Sequence, residues 1–355
     1  RYTVFSLWDT YRNMHPLTSL VYPKQQSDMI KSMLQMYDEN GWLPKWELNS
    51  TETFTMVGDP ASIVIADACL KGIQDFDIYK AYHAMLKGAD QIEENPLRPG
   101  LKEYLQKGYL STNYHGSVST TEEYNASDYA IALMAKALGE KEDYKRFYKR
   151  SLSYQKLYDK DLKLLRPRTA DGKWYEPFDP NAGANFQENV GFIEGNAWQY
   201  AFMVSHDIKG LIKLMGGDKV FSDQLQKVFD IKQFDMANEP DIAYPYLFNY
   251  VKGEEWKSQE MVKKLVREYF RNEPKGLPGN DDTGTMSAWL VYSMMGIYPI
   301  SPGDPIYTIT TPMFDKVTIK LDSRYYNKEN VVIERAMNSD GKIKEIQLNG
   351  KTLNS

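Results

Sequence analysis

The sequence predicts a mainly α fold, a toroid made of helix hairpins, with the beginning of a β-region at its C-terminal end. Three observations predict it. Roughly ten to twelve helical stretches follow one another with no interleaved strands, which excludes a Rossmann fold or a TIM barrel. The connecting loops alternate between short and long, and in a toroid the long ones gather at one end. After Pro299 the apolar period changes to two.

Taken in order, residues 1–20 are dense in aromatics. Trp8-Asp9-Thr10-Tyr11-Arg12 sets an acid and a base three apart, on one face if helical. A solvated surface pair is the simplest reading, and the bulky neighbours Trp8 and His15 weigh against it. Gln25 to Asn40 repeats Ile30, Met33, Leu34 and Met36 at helical spacing. Asp59-Pro60 reads as an N-cap and first turn, and Ala61 to Leu70 follows almost without charge, as expected of a helix buried all round. Phe76 to Lys87 and Leu97 to Gly108 are further helices. Ser117 to Glu122 supplies capping residues for a helix over Glu123 to Leu138. Lys141 to Tyr158 reads as one long helix. Asp159 to Asn189 is rich in Asp, Asn, Gly and Pro and is expected to be a long functional loop with short strands. It leads to Glu194 and a helix from Ala197. Asp207 to Met215, Ser222 to Val228, Tyr244 to Tyr250 and Trp256 to Tyr269 continue the helical series. Gly276 to Asp282 forms a loop before the apolar helix Thr283 to Ile297. Ile306 to Thr311, Lys316 to Leu321, Val331 to Glu334 and Ile343 to Leu348 read as strands, with Asn349-Gly350 a hairpin turn. Helical and β-regions are expected over 1–305 and 306–355, the second being incomplete. The aromatic start at Arg1, without Met, reads as a piece of something longer, whose missing start would hold any export signal.

Composition excludes several functions. The chain has 355 residues and a net charge of −5 with acids and bases mixed. It has no basic stripe, so nucleic acid is a poor partner. The single cysteine, Cys69, permits neither an intrachain disulfide nor a CxxC site. Four scattered histidines show no zinc-enzyme pattern. No apolar run is long enough for a transmembrane helix.

The chemistry is expected from acids placed in loops: Asp9, Glu194, Glu239, Asp281 and Asp282. Two carboxylates from different loops can perform acid and base work on a glycosidic bond. Glu194, beside Ile193 and with Trp198 one turn on, has the apolar setting that raises a carboxyl pKa and suits a proton donor. Asp281 and Asp282 precede a helix whose N–H groups favour the ionised form, which suits a base. A helix cap is the simpler reading of each. Acid-rich loops also bind calcium, although no EF-hand pattern is present.

Five strings, in order, carry a resemblance: Phe5 to Arg12, Val57-Gly58-Asp59-Pro60, Glu194 to Tyr200, Asn238-Glu239-Pro240 and Gly279 to Trp289. Together they resemble glycoside hydrolase family 92, whose members are calcium-dependent, inverting exo-α-mannosidases, largely of glycan-feeding bacteria. The resemblance runs from residue 1 to about 325. It implies an (α/α)6 barrel, a mannose-containing glycan as substrate, and a missing N-terminal β-sandwich packed on the barrel. It implies a periplasmic, cell-surface or secreted location. Glu194 matches the general acid and Asp282 the general base, with Asp281 as fallback. Asn280 occupies the place where the family often has a second acid. Trp8 and Asp9 match residues that bind the terminal mannose, with Arg12 supporting Asp9, and Trp198 and Asn280 complete the substrate-facing candidates. Asn238 and Glu239 match the region that binds Ca2+ or the neighbouring sugar. The competing reading is a non-catalytic or incomplete glycan-binding helical module. A terpene-cyclase-like Mg2+ site is disfavoured because Asp281-Asp282-Thr283-Gly284-Thr285 lacks the third acid of DDxxD.

Overall fold

A computed structural model describes residues 1–187, 189–336, 343 and 345–353. Among the described residues the α-helices are α1 (Leu7–Thr10), α2 (Met14–Val21), α3 (Pro23–Asn40), α4 (Pro60–Leu70), α5 (Ile78–Asp90), α6 (Leu101–Lys107), α7 (Ser117–Leu138), α8 (Lys141–Ser151), α9 (Ala197–Tyr200), α10 (Ile208–Met215), α11 (Asp218–Asp230), α12 (Glu255–Tyr269) and α13 (Thr285–Met295). Short 3-10 helices lie at Ser153–Leu157, Ser205–Asp207 and Tyr244–Tyr250.

Their packing closes a ring. α2 packs on α4, and α4 on α7. α7 meets Ser205–Asp207, which leads through α10 to α11. The Tyr244–Tyr250 turn joins α11 to α12, α12 packs on α13, and α13 returns to α2. Two layers follow from the residue pattern. α4 and α13 are apolar around most of their circumference, and α4 buries every residue from Pro60 to Cys69. Such helices suit an inner layer. α3, α5, α8, α11 and α12 bury one stripe and leave charges outside, as an outer layer requires.

Three predicted boundaries are corrected. Residues Ser117 to Glu122 are the first turns of α7 and not a cap before it. The helix stops at Gly116 and Gly139, both left-handed. The Lys141 helix ends at Ser151, because the chain tightens into Ser153–Leu157 and then pairs Tyr158–Asp159 with Leu164–Leu165. Asp59 stands at the N-cap of α4, but its side chain makes no cap bond there. Its carboxylate instead accepts from Arg98 Nε and Nη2, each at 3.1 Å.

That ion pair belongs to a buried network. Arg98 Nη1 donates to Asp128 at 2.7 Å, and Arg150 and Tyr104 donate to the same carboxylate. Burial pushes Asp128 up, but the charges of Arg150 and Arg98 outweigh it and hold the group below its usual value. The network fastens α7 to α8 and to the start of α4.

After α13, Ile297–Tyr298 pairs with Thr308–Ile309, a shorter strand than Ile306 to Thr311. Lys316–Lys320 pairs antiparallel with Asn330–Glu334. Ile319 is buried in the helical core, and Tyr326 donates its hydroxyl to the Ser19 carbonyl. The strand expected over Ile343 to Leu348 is present at Gln347–Leu348, and Lys344 lies outside the described residues. Gln347–Leu348 pairs with Lys351–Thr352 across Asn349-Gly350, both left-handed, as that hairpin turn requires.

Replacing Arg98 by Leu strands Asp59 and Asp128 in the interior. The expected loss is about 3–5 kcal/mol of unfolding free energy, read from the shift of the urea midpoint.

Candidate active site

Glu194 sits where the 159–192 excursion returns to the core. Its left-handed backbone, φ +47°, is uncommon for a residue with a side chain. The neighbours hold it there. Ile193 N–H donates to Ser119 Oγ at 2.9 Å, and Tyr200 O–H donates to the Ile193 carbonyl at 2.6 Å. The Asn238 amide donates to the Glu194 carbonyl. Asn196 and Gln199 form a capping box at the start of α9, so Glu194 is not the cap of that helix. Its side chain is half-buried. Its carboxyl pKa is raised, first by burial and then by the charge of Asp282.

Asp282 has the same unusual backbone, φ +46°. The helix behind it starts at Thr285, later than expected. Asp281 takes the capping role: its carboxylate accepts from Ser287 N–H at 2.9 Å and its carbonyl from Gly284 N–H at 3.1 Å. This commits Asp281 to the helix and leaves Asp282 turned to the acids. The expected lowering of Asp282 by the helix end is corrected. Burial raises it, a hydrogen bond from Glu239 lowers it, Asp281 raises it, and the net shift is upward.

Asp9 and Glu239 complete the cluster. Asp9 is buried and accepts from Ser6 Oγ. Its pKa is pushed up to about 7 by burial, against the Ser6 hydrogen bond, with Asp282 and Glu194 raising it and Arg12 lowering it. Glu239 is buried and raised well above its usual value by burial and by the charges of Asp9 and Asp282. Its Oε1 has no hydrogen-bond partner.

Arg12 was expected to support Asp9. Its ion pair is with Glu123 of α7, Nη2 to Oε1 at 2.7 Å, and its charge reaches Asp9 and Glu239 without a direct bond. Its guanidinium lies 4.8 Å from the Trp8 ring centre and 4.7 Å from that of Tyr11. Trp8 is buried, with its indole N–H unpartnered. Glu122, next to Glu123, is also fully buried, and neither carboxyl oxygen has a partner. The sequence reading missed both glutamates. The available signal was two adjacent acids among Ser119, Thr120, Thr121 and Asn125, in a helix with too few apolar residues for its burial.

Two candidates stand apart. Trp198 is packed in the core, with its indole N–H on Asn181 Oδ1 at 3.0 Å and Lys227 over its ring, and it ties down the excursion. Asn280 is exposed at the loop tip. A cavity of about 30 Å³ lined by Tyr11, Arg12, Met203, Glu239, Tyr244 and Tyr298 lies against the acid cluster, with room for about one water. A larger cavity of about 250 Å³, between Arg1, Trp42 and Phe54, is lined by none of the site acids. Of its own glutamates, Glu47 and Glu52 are occupied by backbone N–H groups and Glu39 by Arg1. The chemistry points to the smaller one.

The cluster suits a hard cation in kind. Its donors are carboxylate and amide oxygens, its acids repel one another, and Glu239 Oε1 is an orphan. Among the described residues no three His, Cys, Asp or Glu side chains converge as a ready ligand group. A cation here would therefore complete its shell with amide, carbonyl, water or ligand oxygens.

A helical ring that sets two half-buried carboxylates on left-handed backbone, one within the field of the other, offers the paired acids that glycoside hydrolases use. The chain belongs to glycosyl hydrolase family 92, whose catalytic-domain model matches residues 1–355. The α-mannosidase BT3965 of Bacteroides thetaiotaomicron, solved with mannoimidazole, superposes with a TM-score of 0.92 at 36% identity, over 99% of this chain and 48% of that one. The inverting mannosidase BT2199 of the same organism superposes at 0.88 with 29% identity, over 98% of this chain and 50% of that one. An uncharacterized secreted glycosidase of Arthroderma benhamiae is 31% identical over 87% of this chain and 45% of its own length. The chain thus spans about half the length of the relatives it matches. The ring of paired helices is the (α/α)6 toroid expected from the sequence. No helix among the described residues is long and apolar enough to cross a membrane.

Glu122 gives a test of the buried electrostatics. Its pKa is raised, by burial first and then by Glu123, so the folded state binds its proton more tightly than the unfolded chain does. Its contribution to stability is present below pH about 4.5 and is lost as pH rises. Glu122→Gln should therefore match the parent near pH 4 and exceed it by at least about 1 kcal/mol at pH 7 in urea unfolding. Equal stability at both pH values would contradict the burial of an unpartnered carboxyl.

Proposed function

We propose that this chain is the catalytic portion of an exo-acting α-mannosidase that removes terminal α-linked mannose from glycans with inversion. The observation behind it is the pairing of Glu194 and Asp282, both half-buried, both in left-handed backbone, and each from a different loop. The family and its mannosidase members supply the substrate class.

In this reading Glu194 enters protonated and gives its proton to the departing glycosidic oxygen. Asp282 takes a proton from a water that attacks the anomeric carbon from the opposite face. The C–O bond to the leaving sugar breaks as the new C–O bond forms, and the configuration inverts. Asp9 and Trp8 present a carboxylate and an indole N–H to the terminal sugar. Asn238 positions Glu194 through its carbonyl. Glu239 and Asp9 are the residues that would hold calcium, which supplies Lewis-acid polarisation and a template for sugar hydroxyls. The enzyme acts outside the cytoplasm, at a periplasm or cell surface, in keeping with a secreted relative. A β-sandwich preceding this chain packs on the barrel and completes the cleft.

Glu194→Gln and Asp282→Asn should each lower kcat on an α-linked mannobiose by about 10²–10⁴-fold while circular dichroism stays unchanged. A chain that binds mannosides but turns none over, with or without the preceding domain, would favour the glycan-binding module.

Calcium is tested apart from activity. Asp9, raised to about 7, must lose its proton to hold a cation. The rise in melting temperature on adding Ca2+ should be small at pH 5 and larger at pH 8, and Asp9→Asn should remove most of the difference. A Ca2+ effect that is absent at pH 8, or independent of Asp9, would remove the cation from this site.

A further inference from the structure

We infer that Glu123 of α7 is a positioning residue of the candidate site: it fixes Arg12, and through Arg12 the wall formed by Trp8, Asp9 and Glu239. This rests on the reading of the site as a mannoside-hydrolysing centre, in which nothing yet gives Glu123 a part.

The geometry is the argument. Glu123 is fully buried, a turn and a half into α7. One oxygen receives Arg12 Nη2 at 2.7 Å, and the other receives the Tyr11 hydroxyl at 3.1 Å. Both oxygens are thus spent on the segment just after Trp8 and Asp9. Arg12 in turn donates Nε to the Trp8 carbonyl at 3.1 Å and Nη1 to Met203 Sδ at 3.7 Å. Its planar face lies against the rings of Trp8 and Tyr11. One guanidinium therefore joins α7, α1 and the segment that follows α9. Arginine suits this because its fork and its face can be used at once, which an ammonium cannot do.

The charge has a second consequence. Arg12 stands among Asp9, Glu122, Glu123 and Glu239, and it favours the ionised forms of Asp9 and Glu239. The pair with Glu123 holds it in that place. The backbone of α7 approaches the same region closely, since a Cβ on Gly58, just before α4, would lie 2.8 Å from Glu123 Cβ. The Val57-Gly58-Asp59-Pro60 turn is thereby fitted around this glutamate. That gives the string a physical role that the catalytic reading had left without one.

A merely structural glutamate would affect folding and leave substrate binding alone. The test therefore separates KM from kcat in the full-length protein, with the preceding domain present, on an α-linked mannobiose. Glu123→Gln keeps the shape and removes the charge. KM should rise about tenfold with kcat within about threefold, because the wall holds the sugar in ground state and transition state alike. Arg12→Lys, which keeps the charge but cannot stack and pair together, should raise KM similarly. The double variant should add little to either one, as for two members of one unit. An unchanged KM in Glu123→Gln, with only the melting temperature lowered, overturns the inference. So does full additivity in the double variant. If Glu123→Gln fails to fold, an unchanged KM in Arg12→Lys overturns it alone. A parent enzyme that turns over no α-mannoside removes the reading of the site and this role with it. A parent that is active, with variants whose KM does not move, removes this role only.

Discussion

The ion pair between Arg12 and Glu123 is the contact on which the acid cluster depends. Four carboxylates in a dry interior are unfavourable by themselves, since burial and mutual repulsion both raise their pKa values. Asp9, Glu122, Glu123 and Glu239 all show that upward displacement. One guanidinium at the centre offsets part of it, and it is held by both a carboxylate and two aromatic faces. A buried pair of this kind contributes little net stability compared with apolar packing. Its effect is geometric: it fixes which way Trp8 and Asp9 face and ties them to the longest helix of the ring.

The ring makes such a centre possible. Inner helices such as α4 and α13 are apolar almost all round, and the one buried acid of α4, Asp67, is paired with Lys71 just beyond the helix. α7 differs. It buries Ser119, Thr121, Glu122, Glu123, Asn125, Ser127 and Asp128 along one length. Its first half faces Arg12 and its second half faces Arg98 and Arg150. The same helix thus serves the candidate site at one end and the ring's internal framework at the other. Substitutions along it will divide accordingly, between the candidate site and stability.

Much of this was legible in the sequence, and the failures have common causes. Helical periodicity revealed the elements, because amphipathic outer helices repeat their apolar residues at fixed spacing. The loops with Glu194 and Asp282 stood out because each sets an acid in a Gly-containing turn before a helix, although a helix cap was the simpler local reading of each. Glu122 and Glu123 were not, because Ser and Thr before them resemble a cap, and local pattern cannot tell a cap from a buried helical turn. Asp59 misled in the same way, since an Asp before Pro signals an N-cap while its partner Arg98 lies 39 positions away. The partners of Arg12 were hidden for that reason too. Local rules see i+3 and i+4, and Glu123 is 111 positions distant. Tertiary pairing of charges is the part of a site that a single sequence shows least.

Asp281 and Asp282 show how the fold divides two adjacent acids. Backbone geometry decides it: Asp281 turns back to the N–H of Ser287, while the left-handed conformation at Asp282 throws the next carboxylate the other way. The cost of that conformation, of order 1–3 kcal/mol, is borne by the cap and by α13 packed behind it. Glu194 bears a similar cost, braced by Ser119, Tyr200 and Asn238. With both acids raised by burial, something must make them unequal before one can act as acid and the other as base. Their surroundings differ. Asp282 receives a hydrogen bond from Glu239 that favours its ionised form, and for Glu194 both causes, burial and the charge of Asp282, act upward. Ionising Asp282 therefore strengthens the hold of Glu194 on its proton. That coupling is what the proposed division of roles, acid at 194 and base at 282, would call on.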